Sequence, residues 1–249
     1  MVEGEEALVG NVTSGVVRVG ATVRRPAGPW TEGVDAFLEH LREAGFTGAP
    51  PPPPRDEQGR QVLEYVPGEM GDATGTYTLV ELAEIGRMQR ALHDAAVSFV
   101  APSATRWESP IPPDRAELIC HNDVSPWNLV RADRGWVLID WDNVAPSSRL
   151  WDLAYAAQSM AGMSPRRDPA ESAARLRAYT GGYGLDPAFG PELAVLLGHR
   201  ARAMYHLLET GFRENRQPWA RIFAEDGPYW RDTADYLDAH VPVWAAALA

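Results

Sequence analysis

The spacing of apolar positions changes once along this chain, near residue 67. Upstream, short apolar runs alternate with turn residues. Val16-Val17-Arg18-Val19 and Thr22-Val23-Arg24 flank Gly20-Ala21, which predicts a hairpin. Gln61-Val62-Leu63-Glu64-Tyr65-Val66 predicts a further strand. Between them Val34, Phe37, Leu38 and Leu41 recur at helical spacing, with Thr31 as the expected N-cap and Gly45 as the terminator. Pro50 to Pro54 must be extended and read as a stiff connector. Downstream, helices dominate. Thr78-x-x-Glu81 is a capping box opening a helix that carries Leu82, Ile85, Met88 and Leu92. Asp168-Pro169 with Glu171 opens another, which Gly181-Gly182 is expected to close. Pro191 starts a long helix through Leu193, Leu196, Leu197, Met204, Leu207 and Leu208 to Gly211, and a last helix is expected near 228–240. The pattern is α+β: a β-rich N-terminal lobe over 1–66 and a larger helical lobe over 67–249.

Three apolar runs interrupt the helical part: Leu118-Ile119-Cys120, Leu129-Val130 and Trp136-Val137-Leu138-Ile139. The separator Arg131-Ala132-Asp133-Arg134-Gly135 is polar and ends in glycine, so the last two runs read as a hairpin. Such a hairpin folds Asn128, at its entry, back beside Asp140, at its exit, and the preceding loop brings Asp123 close to both. Two carboxylates and an amide gathered this way suit Mg²⁺ better than a softer metal. They also suit the orientation of a hydroxyl toward a terminal phosphate. Asp142, two residues after Asp140, points the same way if the strand continues; it supports the site or faces solvent. His121 is expected to brace the loop through a backbone hydrogen bond. No other histidine has ligand spacing around it.

The ordered set His121-Asn122-Asp123-x-x-x-x-Asn128 and Ile139-Asp140-Trp141-Asp142 resembles the catalytic core of the aminoglycoside phosphotransferase and choline kinase-like families. The resemblance implies a protein kinase-like two-lobed fold with a catalytic hairpin in its C-terminal lobe. It further implies Mg²⁺ on Asn128 and Asp140, ATP or GTP as co-substrate, and Asp123 as general base or hydroxyl acceptor. Leu150-Trp151-Asp152-Leu153-Ala154-Tyr155 resembles the segment these families carry after the metal site, with Asp152 either propping the catalytic loop or starting a helix. By position in the chain, Ser14 and Gly15 fall in the phosphate-covering loop, and Glu64 and Val66 in the adenine hinge. The families carry a lysine on the third strand, paired with a glutamate on the first helix. This chain contains no lysine. Arg24 follows Val23 as that lysine follows its apolar neighbour and is assigned to the phosphates. Glu32, Asp35 and Glu39 are the candidate helix acids.

Bulk properties narrow the picture further. The chain has 249 residues, 45% of them hydrophobic, and a net charge of −11. That charge argues against nucleic acid and anionic membrane as partners and is compatible with a cationic acceptor. Glu225, Asp226, Asp232, Asp235 and Asp238, interleaved with Trp219, Tyr229 and Trp230, form a candidate acceptor surface or a solvated helix face. Trp127 and Trp141 flank the site and either stack on substrate or pack in the core. A single cysteine, Cys120, precludes an internal disulfide, and no apolar run approaches the ~20 residues that span a bilayer. The acidic N-terminus lacks a signal-peptide pattern, and a cytoplasmic location is expected. The function expected is transfer of a terminal phosphate from ATP or GTP to a hydroxyl of a small, aminoglycoside- or choline-like molecule. No obligate protein partner is implied. The alternative is a catalytically degenerate kinase fold that binds nucleotide or a protein partner. A metal-water hydrolase is a distant third.

Overall fold

The computed structural model describes residues 4–8, 15–71 and 77–249. Strands β1 (Glu6–Ala7), β2 (Val17–Val19), β3 (Thr22–Arg25) and β4 (Gln61–Glu64) form an antiparallel sheet in the order β1-β2-β3-β4. Helix α1 (Thr31–Glu43) lies between β3 and β4 in the chain and buries Val34, Phe37, Leu38 and Leu41. Its first residue is Thr31, one position later than an N-cap. The Thr31 hydroxyl instead accepts from the Gly28 amide at 2.8 Å, tightening the loop before the helix.

Beyond Glu64 the chain leaves this sheet. Strand β5 (Glu69–Met70) pairs with β7 (Leu129–Ala132), which pairs in turn with β8 (Gly135–Leu138). The turn between the last two is Asp133-Arg134, shorter than the expected separator. Helix α2 (Leu79–Ala96) opens with the expected capping box: Glu81 N–H donates to Thr78 Oγ1, and the Glu81 carboxylate accepts from Thr78 N–H. Strand β6 (Leu118–Cys120) precedes the catalytic loop and pairs with β9 (Ala145–Ser147) after it, so the two ends of that segment are tied together.

The rest is helical: α3 (Arg149–Ala161), α4 (Pro169–Tyr183), α5 (Gly190–Arg213), α6 (Trp219–Ala239) and α7 (Val241–Leu248). One large apolar core joins α1, α2, the catalytic segment and these helices, and a smaller one unites Val66, Val130 and Val137. Two boundary expectations are corrected. The C-terminal segment is two helices starting at Trp219, with Pro228 inside the first. Gly181 and Gly182 do not close α4, which runs on to a left-handed Gly184. Among the described residues no helix is long and apolar enough to cross a membrane.

The two glycines have different physical reasons. A Cβ on Gly182 would meet the Ala83 carbonyl oxygen at 2.0 Å, so this glycine permits the close approach of α2 and α4, whereas one on Gly181 would meet nothing within 4 Å. Gly182→Ala is therefore expected to destabilise by about 1–3 kcal/mol through overpacking. Gly181→Ala should stabilise by about 0.5–1 kcal/mol by removing backbone entropy from the unfolded chain. Urea unfolding of both variants checks this; equal effects of the two would contradict the packing account.

Candidate active site

The loop after β6 is built around a left-handed residue. Asn122 has φ 62°, a conformation asparagine tolerates better than most residues. Its Nδ2 donates to three carbonyls: Cys120 at 3.3 Å, Asn143 at 3.1 Å and Ala145 at 3.2 Å. Its N–H donates to Asp152 Oδ1 at 2.6 Å, and its carbonyl accepts from Arg200 Nη2 at 3.2 Å. The neighbouring His121 is fully buried against Trp141, ring centroids 4.6 Å apart. Asp123 N–H donates to His121 Nδ1 at 3.3 Å, so that nitrogen is unprotonated, and Nε2 donates to the Ile139 carbonyl at 3.2 Å. Burial pushes the imidazole down from its usual value, which agrees with this neutral form. His121 thus braces the loop, as its position in the sequence suggested.

Asp152 props the same loop. It is buried at the start of α3, where Gln89 Nε2 and His93 Nε2 each donate to its Oδ2 at 2.9 Å. His93 continues to the Tyr183 hydroxyl at 2.8 Å, and Gln89 accepts from Tyr179 at 2.7 Å. Burial alone would raise the Asp152 carboxyl, but its bonds and charge pairing with His93, helped by Gln89, bring it below the ordinary range. Cys120 lies in the same cluster, with donor atoms of Cys120, His93 and Asp152 within 4.8 Å of one another. Burial holds the thiol well above its usual value, so it stays protonated, and the carboxylate is already saturated by donors. The cluster is a polar support rather than a ligand set.

The hairpin delivers the remaining groups. Asn128 closes a 3₁₀ turn, Pro126–Asn128, and the hairpin is sealed by Ile139 N–H donating to the Asn128 carbonyl at 2.9 Å. Asn128 Nδ2 donates to Asp123 twice, to its carbonyl and to its Oδ2, both at 3.0 Å. Asn143 Nδ2 also reaches that carboxylate, at 3.2 Å, and the Tyr155 hydroxyl bonds it. Asp123 is half-buried. Burial, reinforced by the charge of Asp140, pushes its carboxyl up to about 7 against the opposing pull of Tyr155, Arg200 and Asn128. Asp123, Asn128 and Asp140 are therefore neighbours.

The donor set fits a hard divalent cation. The Asn128 amide nitrogen is committed to Asp123, which turns Oδ1 the other way. Asp140 engages Arg25 Nη1 through Oδ1 at 3.3 Å and keeps nearly half of its side chain exposed. Among the described residues no donor is bonded to Asn128 Oδ1 or to Asp140 Oδ2. Two open oxygens on adjacent residues are what a Mg²⁺ that retains several waters requires.

Several sequence expectations are corrected here. Arg24 faces away and pairs with Asp56 at 3.5 Å; Arg25, one residue on, is buried and reaches Asp140 and Asp142. Asp142 does not follow Asp140 along a strand. Asp140 has φ 58°, and residues Trp141–Asn143 form a 3₁₀ turn that swings Asp142 onto Arg25 and buries Trp141 in the core beside Phe37. Trp141 and Trp230 are thus core residues, the latter stacked on Tyr155 at 6.3 Å. Glu225 is paired with Arg221 at 3.0 Å and Asp226 is exposed. Glu64 binds Arg134 at 2.7 Å and its N–H donates to the Pro51 carbonyl at 3.3 Å, so that amide is not open to adenine. Val66 is buried under the hairpin, Gly15 is an exposed turn residue with φ 77°, and Ser14 lies outside the described residues. Tyr155, Asn143 and Arg200 were not anticipated. Asn143 follows the Asp140–Asp142 motif and Tyr155 ends the Leu150–Tyr155 segment, yet neither was assigned a role; only Arg200, on α5, lies in a stretch with no local signal for the site.

Asp152→Asn is expected to lower unfolding free energy by roughly 1–3 kcal/mol near neutral pH, as for a buried carboxylate lost from the donors that converge on it. The sign of its pH dependence follows from the depressed carboxyl. The stabilisation is complete above the unfolded value of about 3.9 and is lost as pH falls through the lower folded value. Denaturant unfolding across pH should therefore show a constant gap between the two proteins near neutrality that narrows below about pH 4. A gap that widens in acid would contradict the assignment.

Residues 103–193 match the model of the phosphotransferase enzyme family, a span that holds Asp123, Asn128, Asp140 and Asp152. Over 158 residues the chain is 35% identical to the trifolitoxin immunity protein of Rhizobium leguminosarum bv. trifolii, covering 61% of this chain and 60% of that one. The chain thus spans less than two thirds of that relative's length. Among solved structures, amicoumacin kinase hAmiN, in complex with AMP-PNP, Ca²⁺ and Ami, matches with TM-score 0.71 and 13% identity over 94% of this chain and 89% of that one. A choline/ethanolamine kinase family protein from Mesorhizobium loti matches with TM-score 0.67 and 16% identity over 99% and 92%. The central span thus resembles the phosphotransferase enzyme family, and the chain as a whole has the protein kinase-like fold of these solved structures.

Proposed function

We propose that the protein is a small-molecule kinase, transferring the terminal phosphate of ATP or GTP to a hydroxyl of a small acceptor. The observation that carries this reading is the convergence of Asp123, Asn128 and Asp140 at the two ends of one hairpin and the loop before it. Asn128 and Asp140 would hold Mg²⁺, which when bound neutralises charge on the transferred phosphate. Asp123 accepts a hydrogen bond from the acceptor hydroxyl and aligns it for in-line attack. A carboxyl poised near neutrality is suited to taking that proton. Arg25, rather than Arg24, is the cation available to nucleotide phosphates on the third strand. Guanidinium can bind phosphate bidentately where an ammonium acts as a point charge.

The domain division at about residue 66 supports this reading, since the nucleotide would lie between the β1–β4 sheet and the hairpin. For the acceptor, the net charge of −11 favours a cationic molecule. The acids of α6 add little to that, because Asp235 and Asp238 are already paired with Arg202 and Asp232 with Arg231. The relative named for trifolitoxin immunity and the neighbour named as amicoumacin kinase add trifolitoxin and amicoumacin to the acceptors to be considered.

Phosphate transfer from Mg-ATP and Mg-GTP should be measured across amino sugars, choline-like amines, neutral sugars, trifolitoxin and amicoumacin. At least one acceptor is expected to turn over, and Asp123→Ala should lower kcat by about 10²–10⁴-fold with nucleotide binding retained. Nucleotide binding without transfer to any acceptor would favour a degenerate kinase fold. Absence of metal-dependent nucleotide binding would overturn the reading.

A further inference from the structure

The cation of the third strand takes its acidic partner from an unexpected place. Arg25 is buried and crosses to the catalytic segment, meeting Asp140 at 3.3 Å and Asp142 in a short ion pair. The adjacent helix α1 offers it no acid. Asp35 accepts from Gln61 Nε2 at 2.6 Å and approaches Arg55 at 3.9 Å. Glu39 is gripped by Arg42 at 2.6 and 2.8 Å, and Glu32 is exposed. Asp142 is itself held from the other side, since Trp30 Nε1 donates to its Oδ1 at 3.4 Å. Trp30 folds over Gly28, where a Cβ would lie 2.5 Å from the indole ring. A glycine, a tryptophan and the turn after Asp140 thus form one arrangement around the Arg25 guanidinium.

We propose that Asp142, steadied by Trp30, is the positioning residue for Arg25 in place of an acid on α1. The proposal rests on the phosphotransferase reading above. Its physical content is a division of charge. With Asp140 as its sole carboxylate partner, Arg25 would compete with a divalent cation for that carboxylate. Asp142 draws the guanidinium aside, so the same turn presents an open metal-ligand oxygen and a cation aimed at phosphate. The orientation of that cation then follows residues 140–143 and, through Trp30, the start of α1, rather than an acid within α1.

Calorimetric titration with AMP-PNP and Mg²⁺ tests this on the full chain. Asp142→Asn is expected to weaken binding about tenfold, as removal of a partner that orients a ligand-binding group does, and Asp142→Glu should restore most of it. Asp35→Asn and Glu39→Gln should stay within about twofold of the parent. Combining Arg25→Ala with Asp142→Asn should weaken binding no more than Arg25→Ala alone, because the acid acts through the arginine. Additive losses in that pair, or equal losses for Asp35→Asn and Asp142→Asn, would overturn the proposal. So would an Asp142→Asn protein whose weak binding tracks a lowered melting temperature and is not rescued by glutamate. If the parent protein itself fails to bind Mg-AMP-PNP, the phosphotransferase reading fails first, and that result is distinguishable from all of these.

Discussion

The geometry of the centre depends on one register, that of the β7–β8 hairpin. Leu129 faces Leu138 and Ala132 faces Gly135, and the pairing is closed by the bond from Ile139 N–H to the Asn128 carbonyl. A slip of one residue would carry each strand's buried side chains to the opposite face. Leu129 and Leu138 pack in the large core and Val130 and Val137 pack with Val66 on the opposite face, so a slip would exchange side chains between two differently shaped cores and leave voids and clashes. The apolar pattern of the hairpin therefore dictates where its polar ends lie. Both ends leave regular strand geometry at once, Asn128 through a 3₁₀ turn and Asp140 through a left-handed residue. These departures aim side chains that a continued strand would point elsewhere.

Charge is distributed around that frame with little left uncompensated. Asp123 lies within the loop after β6 and Asp152 props that loop from α3, yet their carboxyls move in opposite directions. Asp152 gathers donors from Gln89, His93 and the Asn122 amide and falls below its ordinary value, remaining an anion that fixes the loop. Asp123 is desolvated and faces the like charge of Asp140, and it rises toward neutrality despite bonds from Asn128 and Tyr155. Two identical groups acquire two roles from environment alone. Arg200 belongs to the same balance. It is buried over the Tyr155 ring at 4.5 Å and bonds the Asn122 carbonyl, so α5 supplies positive charge behind the loop.

Much of the centre was legible in the chain because its residues are close in sequence. The loop, the hairpin and the capping box at Thr78 follow from local spacing, whereas the propping role of Asp152 is one of two readings and comes only from the family resemblance. What failed to read correctly depends on register or on distance. Two adjacent arginines end β3, and without knowing which face of the sheet meets the hairpin, Arg24 and Arg25 cannot be told apart. The left-handed backbone at Asp140 breaks the two-residue alternation on which the placement of Asp142 relied. Gly181 and Gly182 carry the composition of a helix stop, but neither closes α4 and only Gly182 serves close packing, a purpose visible only with α2 beside it. Tyr155 ends the segment that resembles the family, but that resemblance says nothing of its bond to Asp123, and Arg200 lies on a helix whose apolar stripe explains its folding and not what it reaches.

The central claim is that Asn128 and Asp140 hold a divalent cation together with nucleotide. Electron paramagnetic resonance of Mn²⁺, titrated into the protein with ADP, reads this directly. A bound Mn²⁺ signal that requires nucleotide and disappears in both Asn128→Ala and Asp140→Ala, with folding intact, is the predicted result. Mn²⁺ binding left unchanged by either substitution would contradict the account.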